Sequence, residues 1–161
     1  MLEVATIGVY GFTGESFLRC LADTQIKLVI DVRQRRGVRG PAYTWANSKR
    51  LQAALTDAGI GYAHHRELAP TTELRQLQYA EDDRQGVGKR SRRELAESYR
   101  LRYTTEVLDR ADLSPVLTAA RRSGPTALLC VERDAPACHR SLIAQRLADQ
   151  HGIVVVNLGP D

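Results

Sequence analysis

The sequence predicts an α/β fold: a single Rossmann-like domain covering residues 1–161, with a mostly parallel sheet of about five strands flanked by helices. Two observations carry that prediction. Short apolar runs at 4–9, 27–32, 60–64, 126–131 and 153–158 read as strands, and between them lie longer segments whose apolar residues recur at helical spacing. Strands joined through helices pair in parallel, because a hairpin has no room for the helix. A chain of 161 residues with 43% hydrophobic residues is large enough to bury one core.

Each element has its own local reason. After the first strand, Tyr10-Gly11-Phe12-Thr13-Gly14 is a glycine-rich turn. Thr13 is a candidate N-cap for a helix over 15–22 that buries Phe17, Leu18 and Leu21. The second strand ends in Asp31 and Arg33, and a long polar loop follows through Gly37, Gly40, Pro41, Tyr43 and Trp45. Leu51, Ala54, Leu55 and Ala58 mark a helix over 48–58, stopped by Gly59. After the third strand, 72–80 reads as helix and 81–90 as a mobile loop. Ser91-x-x-Glu94 has the form of a capping box, so the next helix is expected to start there, with Leu95, Tyr99, Tyr103 and Val107 as its apolar stripe. Ser114-Pro115 opens a helix to about 122. The strand after Pro125, a helix opening at Cys138, Gly152 and a final strand complete the chain.

Composition narrows the function. The chain has no run of about 18 apolar residues, so no membrane span or membrane partner is expected. It opens Met1-Leu2-Glu3-Val4 without a basic-then-apolar leader, which predicts a cytoplasmic location. Three cysteines, Cys20, Cys130 and Cys138, suit a reducing compartment better than a disulfide framework. The formal net charge is +4, and lysine occurs only at 27, 49 and 89, so nearly all the cations are arginines, whose planar fork suits phosphate and carboxylate. They cluster in two runs. Arg33, Arg35, Arg36 and Arg39 form one, and residues 84–93 hold Arg84, Lys89, Arg90, Arg92 and Arg93 without an acid. Arg35, Arg36 and Arg39, beside Tyr43 and Trp45, are candidate nucleic-acid contacts; the alternatives are a solvated loop and a Trp45 anchor onto the core.

The densest chemistry lies between the 126–131 strand and the helix after it. Cys130, Glu132, Arg133, Asp134, Cys138, His139 and Arg140 fall within eleven residues at a strand-to-helix crossing, where ligands of α/β sheets bind. A thiol in the first turn of a helix beside arginine is activated, which makes Cys138 a candidate nucleophile with Glu132 and His139 as acid or base. Cys130, inside an apolar strand, reads as a small buried hydrophobe. Gly11, Thr13, Asp31, Arg33, Asp134 and Arg140 are candidate substrate or anion contacts, with Arg140 alternatively paired to a carboxylate.

This stretch also carries a resemblance. Leu-Leu-Cys-x-Glu-x-Asp from Leu128, followed by Cys138-His139-Arg140-Ser141-x-Ile143-Ala144, is similar to the C-terminal signature of the domain of unknown function 488 family. Thr6-Ile7-Gly8 and Asp31-Val32-Arg33 fit the same pattern. The resemblance implies a small α/β domain of bacterial or archaeal type, without an established activity.

Two more specific readings are set aside. Gly8-x-x-Gly11-x-x-Gly14 with Asp31 imitates a dinucleotide fingerprint, but no Tyr-x-x-x-Lys pair accompanies it. Cys-x7-Cys-His is not a standard zinc spacing, and neighbours on a helix point about 100° apart, so no metal and no cofactor is assigned. The expected function is binding of a phosphate-bearing substrate, nucleotide or nucleic acid, at the C-terminal strand edge, with enzymatic use of the Cys-His-Arg cluster. The alternative is a non-catalytic nucleic-acid-binding module. The partner is thus a phosphate-bearing small molecule or a nucleic acid.

Overall fold

Five parallel strands form one sheet in the order β3-β2-β4-β1-β5, where β1 is Glu3–Ile7, β2 Leu28–Asp31, β3 Gly61–His64, β4 Thr126–Leu129 and β5 Val154–Leu158. The structure is a computed structural model that describes residues 3–160. Met1 and Leu2, where the leader expectation falls, lie outside the described residues. Among the described residues no helix is long and apolar enough to cross a membrane.

The period of two along each strand feeds two cores. Val4, Leu28, Ile30 and Leu128 face one side, while Ala5, Ile7, Val29, Ala127 and Leu129 face the other. The second side is covered by α1 (Gly14–Asp23) and α2 (Ser48–Asp57), through Phe17, Leu21, Leu51 and Leu55. The first is covered by α3 (Thr72–Gln85), α4 (Glu97–Glu106), α5 (Ser114–Ser123) and α6 (Arg140–His151). Thr13 caps α1 by accepting from the Ser16 amide at 3.0 Å, and Ser16 returns the bond to the Thr13 amide.

The topology fixes where the sheet opens a crevice. After β1 and β2 the chain moves towards β3, whereas after β4 it moves towards β5. Connections leaving adjacent strands in opposite directions open a crevice between β2 and β4, above their C-terminal ends.

Three elements depart from the sequence expectation. Helix α3 runs on to Gln85 and ends at Gly86 with φ 72°, so only its C-terminal continuation is loop. Ser91 opens no helix: its hydroxyl accepts from the Gly88 amide, and α4 begins six residues later. The intervening chain is instead held across the sheet end, where the Leu95 amide donates to Pro136 O at 2.9 Å and Gln78 Oε1 accepts from the Ala96 amide. The last helix starts at Arg140 rather than Cys138, because Pro136 sits in a separate 3-10 turn, Ala135–Ala137, after which Cys138 is extended at φ −138° and ψ 148°.

Candidate functional site

A cavity of about 440 Å³ fills the crevice between β2 and β4. Its floor is Cys130, Glu132, Cys138 and His139; cations from the loop after β2, from α3 and from the 86–95 segment surround it. Volumes of this size hold small-molecule ligands.

Alternation that continues past the end of β4 places the floor. Leu128, Cys130 and Glu132 fall on one face, and Cys130 continues the α3–α6 core. Because Cys138 is extended and not helical, its side chain and that of His139 converge: each cysteine sulfur lies 3.6 Å from His139 Nδ1. His139 Nε2 lies 2.7 Å from Val32 O. Burial pushes the His139 pKa down, but the Cys130 sulfur and the Val32 carbonyl outweigh it and raise it above the ordinary value. Burial, with Cys138 and Glu132 nearby, drives the Cys130 thiol well up.

Glu132 is 6% exposed and lies 3.3 Å from Cys130 Sγ through Oε2. Burial alone raises its pKa, yet Lys89 and Arg92 hold the carboxyl below the ordinary value. Arg92 is itself buried: Nη2 donates to Glu132 Oε1 at 2.8 Å, Nη1 to Asp82 Oδ2 at 2.6 Å, and Nε to Ala137 O at 3.2 Å. Part of the second basic run, Lys89 and Arg92, is therefore folded over the site. Arg90 stacks 5.1 Å from both the Tyr10 and Tyr43 ring centroids and donates to Arg39 O.

The remaining candidates separate by burial. Arg33 is 2% exposed and grips Asp31 with Nε and Nη2, both at 2.9 Å, while Nη1 donates to Ala46 O. Tyr62 also donates to Asp31, so this pair ties the long loop to the sheet rather than presenting a fork to solvent. Arg140 is wholly buried and donates to the carbonyls of Glu132 (2.7 Å) and Arg133 (3.2 Å); it is paired to backbone, not to a carboxylate, and clamps the loop that carries Glu132. The Gly11 amide donates to Tyr43 Oη, and the Thr13 amide to Ser16, which leaves neither amide as a phosphate cradle. Asp134 is exposed, beyond the cavity lining. Arg35 and Arg39 are exposed on the cavity rim; Arg36 is half-buried, donating to Tyr62 Oη. Trp45 packs on Phe17 at 4.9 Å and anchors its loop to the core.

Sequence reasoning missed Arg75, took Cys130 for a buried hydrophobe, and marked Lys89 and Arg92 as members of a basic run but not as cavity residues. The alternation Leu128, Cys130, Glu132 was a usable signal for Cys130. Nothing local marks Arg75, and the basic run that contains Arg92 does not show that it reaches the cavity; both do so through long-range packing.

A doubly wound parallel sheet with a lined cavity at its switch point defines the class as an α/β domain. The family described as "Domain of unknown function DUF488" matches residues 13–147, and the chain belongs to that family. No curated protein and no solved structure matches the chain.

Proposed function

We propose that this chain binds a phosphate-bearing substrate, a nucleotide or a nucleic-acid end, in the β2–β4 cavity and acts on it with the floor cluster of Cys130, Glu132, Cys138 and His139. One observation carries the reading: unneutralised cations and reactive groups line the same cavity. Arg35, Arg39 and Arg75 line it without an ion pair among the described residues, whereas Arg33 and Arg92 are neutralised by carboxylates and Lys89 acts on Glu132. Arg75 is held ready by Gln34 and Tyr79, to whose Oε1 and Oη it donates at 2.9 and 3.0 Å. Preorganised guanidinium groups of this kind favour anionic ligands.

The test is calorimetric titration with inorganic phosphate and a set of nucleotides. R75Q and the double variant R35Q/R39Q each weaken binding about tenfold or more, the value of a lost charged hydrogen bond. Binding unchanged in both variants overturns the reading. The exposure of Arg35 and Arg39 on the rim favours the second reading, a nucleic-acid-binding module. That reading requires affinity that falls steeply with salt and a slope that flattens in R35Q/R39Q.

A further inference from the structure

We propose that Cys130, Cys138 and His139 hold one zinc ion at the floor of the cavity, through both sulfurs and Nδ1, with the fourth coordination position open to the cavity. The inference rests on the geometry of the three side chains, whatever ligand the cavity takes.

The distances come first. The three ligand atoms lie within 4.8 Å of one another, and Nδ1 is 3.6 Å from each sulfur. Zinc bonds of about 2.3 Å to sulfur and 2.0 Å to nitrogen, at a tetrahedral angle, put the two donors about 3.5 Å apart. Both sulfur–nitrogen separations already match that value, and the sulfurs, within 4.8 Å of each other, have at most about 1 Å to close to the roughly 3.8 Å that two zinc–sulfur bonds set.

The histidine is oriented for it. A carbonyl oxygen only accepts, so the 2.7 Å contact with Val32 O assigns the Nε2 proton and leaves the Nδ1 lone pair facing the sulfurs. A ligating histidine is commonly fixed this way, its other ring nitrogen donating to a backbone carbonyl. Cys138 Sγ also accepts from the Arg140 amide at 3.5 Å, a bond that supports a thiolate.

Charge balances as well. Two thiols give up one proton each to solvent as the ion binds, and two thiolates with a divalent cation and a neutral imidazole sum to zero. Lys89 and Arg92 between them already compensate Glu132 and Asp82, so the buried cluster gains no net charge. Two soft sulfurs and one imidazole select zinc over magnesium or calcium, and three protein ligands are the pattern of catalytic rather than structural zinc. All three residues line the cavity, which is where a water or substrate oxygen completes the tetrahedron, beside Glu132. Cys138 then serves as a ligand and not as a nucleophile. The objection that neighbouring residues diverge on a helix does not apply, since Cys138 precedes α6 in extended conformation.

The test uses the full chain, reduced and stripped with a chelator, and titrated with cobalt(II) and then zinc. One equivalent of cobalt should bring a thiolate-to-metal band and tetrahedral d–d bands, with zinc displacing it and about two protons released per ion. C130S, C138S and H139A should each weaken cobalt binding by more than about 100-fold, beyond what loss of an outer-shell partner brings. C20S, on α1, should leave it unchanged. Absence of both bands in reduced, folded wild-type protein overturns the proposal, independently of how any variant folds. So does cobalt binding that C130S and C138S leave intact, or a Cys130–Cys138 disulfide persisting as the ground state in reducing buffer. Phosphate titration of the metal-free protein keeps this result separate from the anion reading, since that binding depends on Arg35, Arg39 and Arg75.

Discussion

Replacing Arg92 by Met removes the cation that joins the folded-over segment to the site. Arg92, Asp82 and Glu132 have side chains 5%, 6% and 8% exposed, so their charges meet with little water to screen them. R92M takes away one donor from each of two buried carboxylates and two bonds to Ala137 O. Breaking a buried ion pair from one side costs about 3–5 kcal/mol, because the partner is left charged and unpaired. Here two partners are stranded, but each keeps some support: Gln78 Nε2 still donates to Asp82 Oδ1 at 2.8 Å, and Lys89 still acts on Glu132. The expected loss is therefore within that range, about 3–5 kcal/mol, and not twice it. Against a total stability of roughly 5–15 kcal/mol such a loss moves the urea midpoint far enough to read directly. The triple variant R92M/D82N/E132Q should recover part of the loss, since no unpaired charge then remains. A loss for R92M below about 1 kcal/mol, or a triple variant less stable than R92M, would refute the account of Arg92 as a buried bridge.

Two further predictions concern packing and ionisation. A Cβ on Gly8 would sit 1.9 Å from Glu132 O, so G8A must push the Glu132 loop away from β1; its destabilisation in urea should exceed the roughly 1–3 kcal/mol of ordinary overpacking, and a neutral effect would mean that loop is not packed on β1. Burial, with the cysteine sulfurs nearby, drives the phenols of Tyr99 and Tyr103 well above the usual value. A raised native pKa contributes stability that is complete below the unfolded value of about 10 and is lost as the pH climbs past it. In an alkaline absorbance titration, these two of the six tyrosines should ionise only together with unfolding, and their ionisation in a still-folded protein would contradict the burial.

Much of the fold was legible because it depends on local pattern. The apolar runs at 4–9, 27–32, 60–64, 126–131 and 153–158 locate all five strands to within one or two residues, and the helix-spaced segments between them require parallel pairing. Thr13 and Gly59 act as cap and stop through bonds and dihedrals confined to a few neighbours. The glutamate, cysteine and histidine of the 130–140 stretch were legible as a cluster for the same reason, being close in sequence.

Tertiary structure decided the roles within that cluster. Whether Ser91 starts a helix depended on Leu95 bonding Pro136, forty-one residues away, and no capping preference of about 1 kcal/mol outweighs the burial of Arg92 that goes with it. Arg33 and Arg140 carry the composition of anion-binding forks, but both are buried, with Asp31 and two backbone carbonyls taking up their donors. The cavity cations without an ion pair among the described residues are instead Arg35, Arg39 and Arg75, brought together from two separated segments. Cys130 passed as core from its neighbours alone. It becomes part of the site because the extended backbone at Cys138 turns two side chains back onto the end of β4, and that convergence is a property of the packed chain, which spacing along the sequence does not encode.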